Sequence, residues 1–170
     1  MAEATQSCLI LTFLPPTGPA IAGNGTAVSA TIRVGAVTGP MKFVRMRVLN
    51  AAGQLRPACC SLEQYGQVFT PAANTTTTVA LGFPMTFDPG PSDEKMVQAN
   101  DLIALEVLAP DVPLPGFWPN NGGQDATIAN YLWLPALSTQ GTPASSALLN
   151  YTAGYGGFVP TFTWTYAPAR

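Results

Sequence analysis

Nine carboxylates and no histidine set the limits of the chemistry this chain can attempt. Without imidazole there is no Ser-His-Asp or Cys-His constellation, and the usual general base and metal ligand are missing. The three cysteines, Cys8, Cys59 and Cys60, lack C-x-x-C spacing and are poor material for a zinc site. Adjacent cysteines bridge each other only with strain. Cys59 and Cys60 therefore read as free thiols, with an intermolecular bridge as the competing reading. No G-x-S-x-G, P-loop or dinucleotide fingerprint occurs. Gly154-Tyr155-Gly156-Gly157 reads as a flexible turn and not as a phosphate cradle, because it does not follow a strand and open a helix. Paired carboxylates remain as a route to glycoside hydrolysis. Glu63 and Glu106 are the strand-adjacent glutamates beyond the amino end, while Asp88, Asp93 and Glu94 fall in loops. No catalytic set emerges from these residues. The expectation is a protein that is not an enzyme and uses no cofactor or metal.

Binding chemistry rests on the aromatics. Trp118, Tyr131 and Trp133 offer a sugar-stacking platform, the carbohydrate-binding or lectin-like reading. The plainer alternative puts Trp133 in the core and lets Trp118 pin a loop. Phe117-Trp118-Pro119 forms an apolar knob in a polar, proline-rich setting. Such a knob suits an anchor for a protein neighbour or for a lipid surface, where amphipathic aromatics sit well.

Charge is scarce and segregated. Charged residues make up 9% of the 170-residue chain, against roughly 25% in an average domain. Five of the seven basic residues, Arg33, Lys42, Arg45, Arg47 and Arg56, fall in one stretch with no acid among them. The region from Asp88 to Asp111 is acidic. Opposite poles of this kind allow complementary contacts within the chain or with a neighbour. The net charge of −2 argues against direct nucleic-acid binding. Arg33, Arg45, Arg47, Phe117 and Trp118 are the candidate interface residues. On this reading, changing Arg45 and Arg47 to glutamate leaves the fold intact and weakens assembly.

The elements that position these residues are strands. Lys42 to Leu49, KFVRMRVL, alternates strictly, with Val44, Met46 and Val48 on one face and Phe43, Arg45 and Arg47 on the other. Thr161 to Tyr166, TFTWTY, alternates threonine with large aromatics. Ser7–Leu14, Thr26–Val34, Asn74–Leu81, Asp101–Ala109 and Thr127–Leu134 are further strands. In Thr26–Val34, the residues Val28, Ala30, Ile32 and Val34 share one expected face. Phe83–Phe87 and Gln67–Thr70 read as short pieces, Gln54–Glu63 is ambiguous, and Ser92–Met96 is the best helical turn. About eight strands separated by proline-rich loops predict an all-β fold over residues 1–170. The expected form is a single domain, a single jelly-roll or β-sandwich barrel. Met1-Ala-Glu-Ala-Thr has no secretory pattern, and no apolar run is long enough to span a bilayer.

Strands such as KFVRMRVL and TFTWTY, joined by loops such as LPPTGP and APDVPLPGFWP, resemble a particular coat-protein family. It is the smaller single jelly-roll major capsid protein of tailless, icosahedral, internal-membrane bacteriophages of thermophilic bacteria. The resemblance covers the whole chain as a pattern and has no short motif. It implies an upright barrel that pairs with itself as a homodimer or higher oligomer. It also implies a larger coat protein as partner, a viral membrane beneath, and a place in the virion after synthesis in the host cytoplasm without a signal peptide.

Overall fold

The computed structural model describes the backbone of residues 6–11, 24–48, 58–86, 100–117, 129–133, 143, 148–150, 153–156 and 159–170. It describes side-chain surroundings for 24–47, 61–86, 101–116, 143 and 161–170. These residues form twelve strands: β1 Gln6–Leu11, β2 Gly25–Arg33, β3 Met41–Val48, β4 Ala58–Phe69, β5 Thr76–Met85, β6 Asn100–Val107, β7 Gly116–Phe117, β8 Ala129–Trp133, β9 Leu148–Asn150, β10 Ala153–Gly156, β11 Val159–Pro160 and β12 Phe162–Pro168.

One sheet runs β10-β8-β1-β6-β3-β4-β9 and a second runs β12-β2-β5, while β7 and β11 make a separate pair. All the pairings are antiparallel. The pairings also nest. The inner pair is β3 with β4, the next is β2 with β5, and the outer is β1 with β6. Successive pairs fall in alternate sheets, so one ribbon of paired chain is wound across two layers. The two sheets remain separate, so the all-β fold is the β-sandwich form of the expected architecture, without closure into a barrel.

The core lies between the layers. Ala27, Ala30 and Ile32 of β2 and Phe83 and Met85 of β5 face Met41 and Phe43 of β3 and Ile103, Leu105 and Val107 of β6. Phe43 stacks on Phe69 at 5.4 Å and meets Phe162 of the opposite sheet edge-on at 5.3 Å. Burial of each large side chain stabilises the fold by about 1.5–3 kcal/mol. Phe162, Trp164 and Tyr166 pack against this core while Thr163 and Thr165 face out, as their alternation predicts.

Several expectations need correction. The two faces of β3 are the reverse of what its charges suggest. Phe43 lies in the inter-sheet core, so Arg45 and Arg47, two and four residues on, project from the inner side. Val44 and Met46 on the other side are also fully buried. In β2 the register slips between Ala27 and Ser29. A bulge of this kind re-aims the side chains beside it. Val28 is left 45% exposed, and Ala27 takes the inward place. The ambiguous segment and the short piece after it merge into β4, whose pairing with β3 shifts register twice. Those slips mask any period of two. Asn74–Leu81 and Phe83–Phe87 join as β5, bridged by Gly82 at φ 64°, a backbone conformation that glycine adopts without strain. Ala153–Gly156 is a strand pairing with β8 and not a turn. The helical turn at Ser92–Met96 lies outside the described residues.

Candidate functional site

The register of β3 against β6 sets base opposite acid. Lys42 lies across from Glu106 and Arg47 across from Asp101. Two residues before Arg47, Arg45 projects to the same inner side, so both guanidinium groups reach one carboxylate.

Asp101 is the hub of that cluster and is fully buried. It accepts hydrogen bonds from Arg45 Nη1 at 2.8 Å, from Arg47 Nε at 2.9 Å and from Arg47 Nη2 at 3.3 Å. The backbone N–H of Thr86 donates to it at 2.8 Å, and its own N–H donates to Thr86 O at 3.1 Å. Arg45 Nη1 also donates to Pro84 O at 2.7 Å. Glu63 of β4 stands 4.0 Å from Arg45 and 3.8 Å from Arg47, and accepts from Ser61 Oγ at 2.6 Å. Two cations thus meet two anions. Pro84 lies near the end of β5 and Thr86 follows that strand directly, so the cluster ties the two sheets together where β3 ends and β6 begins. Its hydrogen bond to Asp101 pushes the Arg47 guanidinium above its ordinary value, against the opposing effect of burial.

The outer face of the same sheet carries a second, separate pair. Lys42 Nζ is 3.0 Å from the buried Glu106 carboxylate and 3.9 Å from the centre of the Tyr65 ring. Partial burial, followed by the charge of Glu106, raises the Tyr65 phenol above its usual range.

These contacts bear on the sequence candidates. Arg45 and Arg47 meet Asp101, from the acidic region, within one chain. Changing both to glutamate is therefore expected to break the fold, because it gathers like charges around Asp101 and Glu63. Glu63 lies with the arginines on the inner side, and Glu106 lies with Lys42 on the outer side. The two glutamates do not converge on a common substrate, as glycoside hydrolysis requires. Among the described residues no group of three or more Cys, Asp or Glu is placed to hold a metal ion. No helix among them is long and apolar enough to cross a membrane. Phe117 ends β7 opposite Val159. Tyr131 pairs in register with Leu9 and Gly154, and Trp133 with Ser7. Trp118 lies outside the described residues.

Arg33 has a different setting. It is exposed at the end of β2, and its guanidinium makes no ion pair or hydrogen bond among the described residues. It lines an open cleft of about 500 Å³ with Val37, Asn74, Pro113, Leu114 and Thr161. The rim is well tied. Asn74 N donates to Gly35 O at 2.9 Å, Thr161 Oγ1 donates to Arg33 O at 2.6 Å, and Thr38 Oγ1 donates to Pro71 O at 3.0 Å. Asn74 sits at φ 58°, a conformation that asparagine tolerates better than most residues.

Sequence reasoning pointed the arginines to the acidic Asp88–Asp111 region, in the same chain or a neighbour, without singling out Asp101, and it missed Glu63. The available signal was that Asp101 opens the one apolar strand whose acids complement Lys42 and Arg47 in antiparallel order. The chain matches no protein-family model, no curated protein and no solved structure.

Proposed function

We propose that this chain is a structural coat protein, a single jelly-roll subunit that self-associates and joins a second, larger coat protein in an icosahedral virion shell. The observation that carries the reading is the nested pairing of β3 with β4, β2 with β5 and β1 with β6 in alternate layers. A paired ribbon wound across two sheets is how a jelly roll is built, and jelly rolls serve as viral coat and lectin domains.

The surface supports the coat over the lectin. On the outer face of the three-stranded sheet, Thr163, Thr31 and Thr78 stand in one register row across β12, β2 and β5. The hydroxyls of Thr31 and Thr78 are 2.9 Å apart. A neutral wall of this kind does little to keep copies apart by charge, and suits a subunit flanked by neighbours. A membrane beneath the shell belongs to the same reading.

Light scattering of the purified chain across protein and salt concentration tests the proposal. Growth beyond monomer with concentration is expected. A strict monomer throughout contradicts it. Glycan binding that Trp118→Ala abolishes would replace it with the carbohydrate-binding reading.

A further inference from the structure

Among the described residues, strand charges are compensated inside the chain with one exception. Lys42 closes on Glu106, and Arg45 and Arg47 close on Asp101 and Glu63. Arg33 has no such partner among the described residues. Asp111 is likewise exposed and takes part in no ion pair among them. Among the described residues the one other exposed cation, Arg170, lies at the opposite end of the sandwich, where Ala169 N donates to Asn24 O at 2.8 Å.

Arg33 borders an apolar cleft, and Asp111 lies close in sequence to its lining, two residues before Pro113, which begins the segment forming the cleft's other wall. Val37, in the same lining, is 56% exposed. Prolines and the hydrogen-bonded Asn74 turn hold this rim, so little ordering is needed for a partner to dock. A patch carrying one cation, one anion and exposed apolar side chains is complementary to itself. In an isologous contact, residue i of one copy meets residue j of the other, and j meets i.

We propose that this end of the sandwich is a contact between two copies of the chain, with Arg33 of each paired to Asp111 of the other across the proline-lined cleft. The apolar lining supplies the buried area, and the two charge pairs fix the register. This inference rests on the coat-protein reading and names the surface through which the subunit meets itself.

Charge reversal with rescue tests it. Self-association is measured by sedimentation equilibrium for the unaltered chain, Arg33→Asp, Asp111→Arg and the double variant. Circular dichroism confirms that each is folded. Arg33→Gln, which removes the charge without reversing it, serves as a milder second variant. Each single reversal is expected to weaken association about tenfold or more, since like charges then face each other. The double variant should return to within about threefold of the unaltered chain. Association unchanged in the single variants overturns the inference and leaves the coat reading standing, with the cleft facing a different protein. Weakening without rescue also overturns it, because the two residues then do not meet. An unaltered chain that is monomeric at every concentration overturns both.

Discussion

The two ends of the sandwich handle charge in opposite ways. At the end where β3 finishes and β6 begins, two arginines and Glu63 are gathered around the buried Asp101, which also holds the backbone of Thr86. At the other end, Arg33 and Asp111 stand exposed with no ionic partner among the described residues. The residue types are the same at both ends. What differs is whether the strand register supplies an opposite charge within reach. In a chain with so few charges, a charge that the fold compensates belongs to the fold, and a charge left over is available to a neighbour.

The comparison breaks most sharply at Asp101. Asp101→Ala leaves two guanidinium groups partly buried without their main acceptor and is expected to cost about 3–5 kcal/mol in denaturant unfolding. Arg33→Ala should change stability by no more than about 0.5 kcal/mol. Equal costs at the two ends would dissolve the distinction.

The Lys42–Glu106 pair sharpens it on the outer face. Removing only Lys42, as Lys42→Met, leaves a buried carboxylate without its cation and should cost about 3 kcal/mol. The double change Lys42→Met with Glu106→Leu should recover most of that loss in the same assay, since a packed apolar pair replaces a buried ionic one at little cost. A double variant no more stable than the single one would show that Glu106 does more than meet Lys42.

The smallest effect is a titration. Burial and the Glu106 charge hold the Tyr65 proton more tightly in the folded state than in the unfolded chain. The folded form therefore binds more protons at high pH. The contribution to stability is intact below the unfolded value of about 10 and declines as pH rises past it toward the folded value. Phenolate absorbance should show the Tyr65 transition, identified by its loss in Tyr65→Phe, displaced upward. Glu106→Gln should move it part of the way back. A transition at the ordinary value would remove Glu106 and burial as influences on that ring.

Much of the architecture was legible in the chain. TFTWTY and KFVRMRVL alternate cleanly and became β12 and β3, because the extra residues of their register shifts fall in the partner strands, β2 and β4, and leave their own period of two intact. Alternation separates two faces but does not say which one is inner. Phe43 and the arginines share a face, and only the opposing sheet shows that it is the core side. β4 was hidden because two register shifts spoil its alternation. The Asp101 cluster was hidden because its partners are 54 residues apart in sequence at Arg47 and 56 at Arg45. Arg33 stood out as a candidate by its charge. Its cleft is assembled from loops and a turn, which carry no periodic signal.

The central claim is that Arg45 and Arg47 act within the fold, and a double-mutant cycle tests it most directly. Unfolding free energies are compared for the unaltered chain, Arg47→Ala, Asp101→Ala and the double variant, at a dilution where the chain is monomeric. Coupling of about 1–3 kcal/mol is expected for two groups sharing charge-assisted hydrogen bonds. Additive changes, with coupling below about 0.5 kcal/mol, would contradict the claim and return the arginines to the surface as candidates for a neighbour's contact.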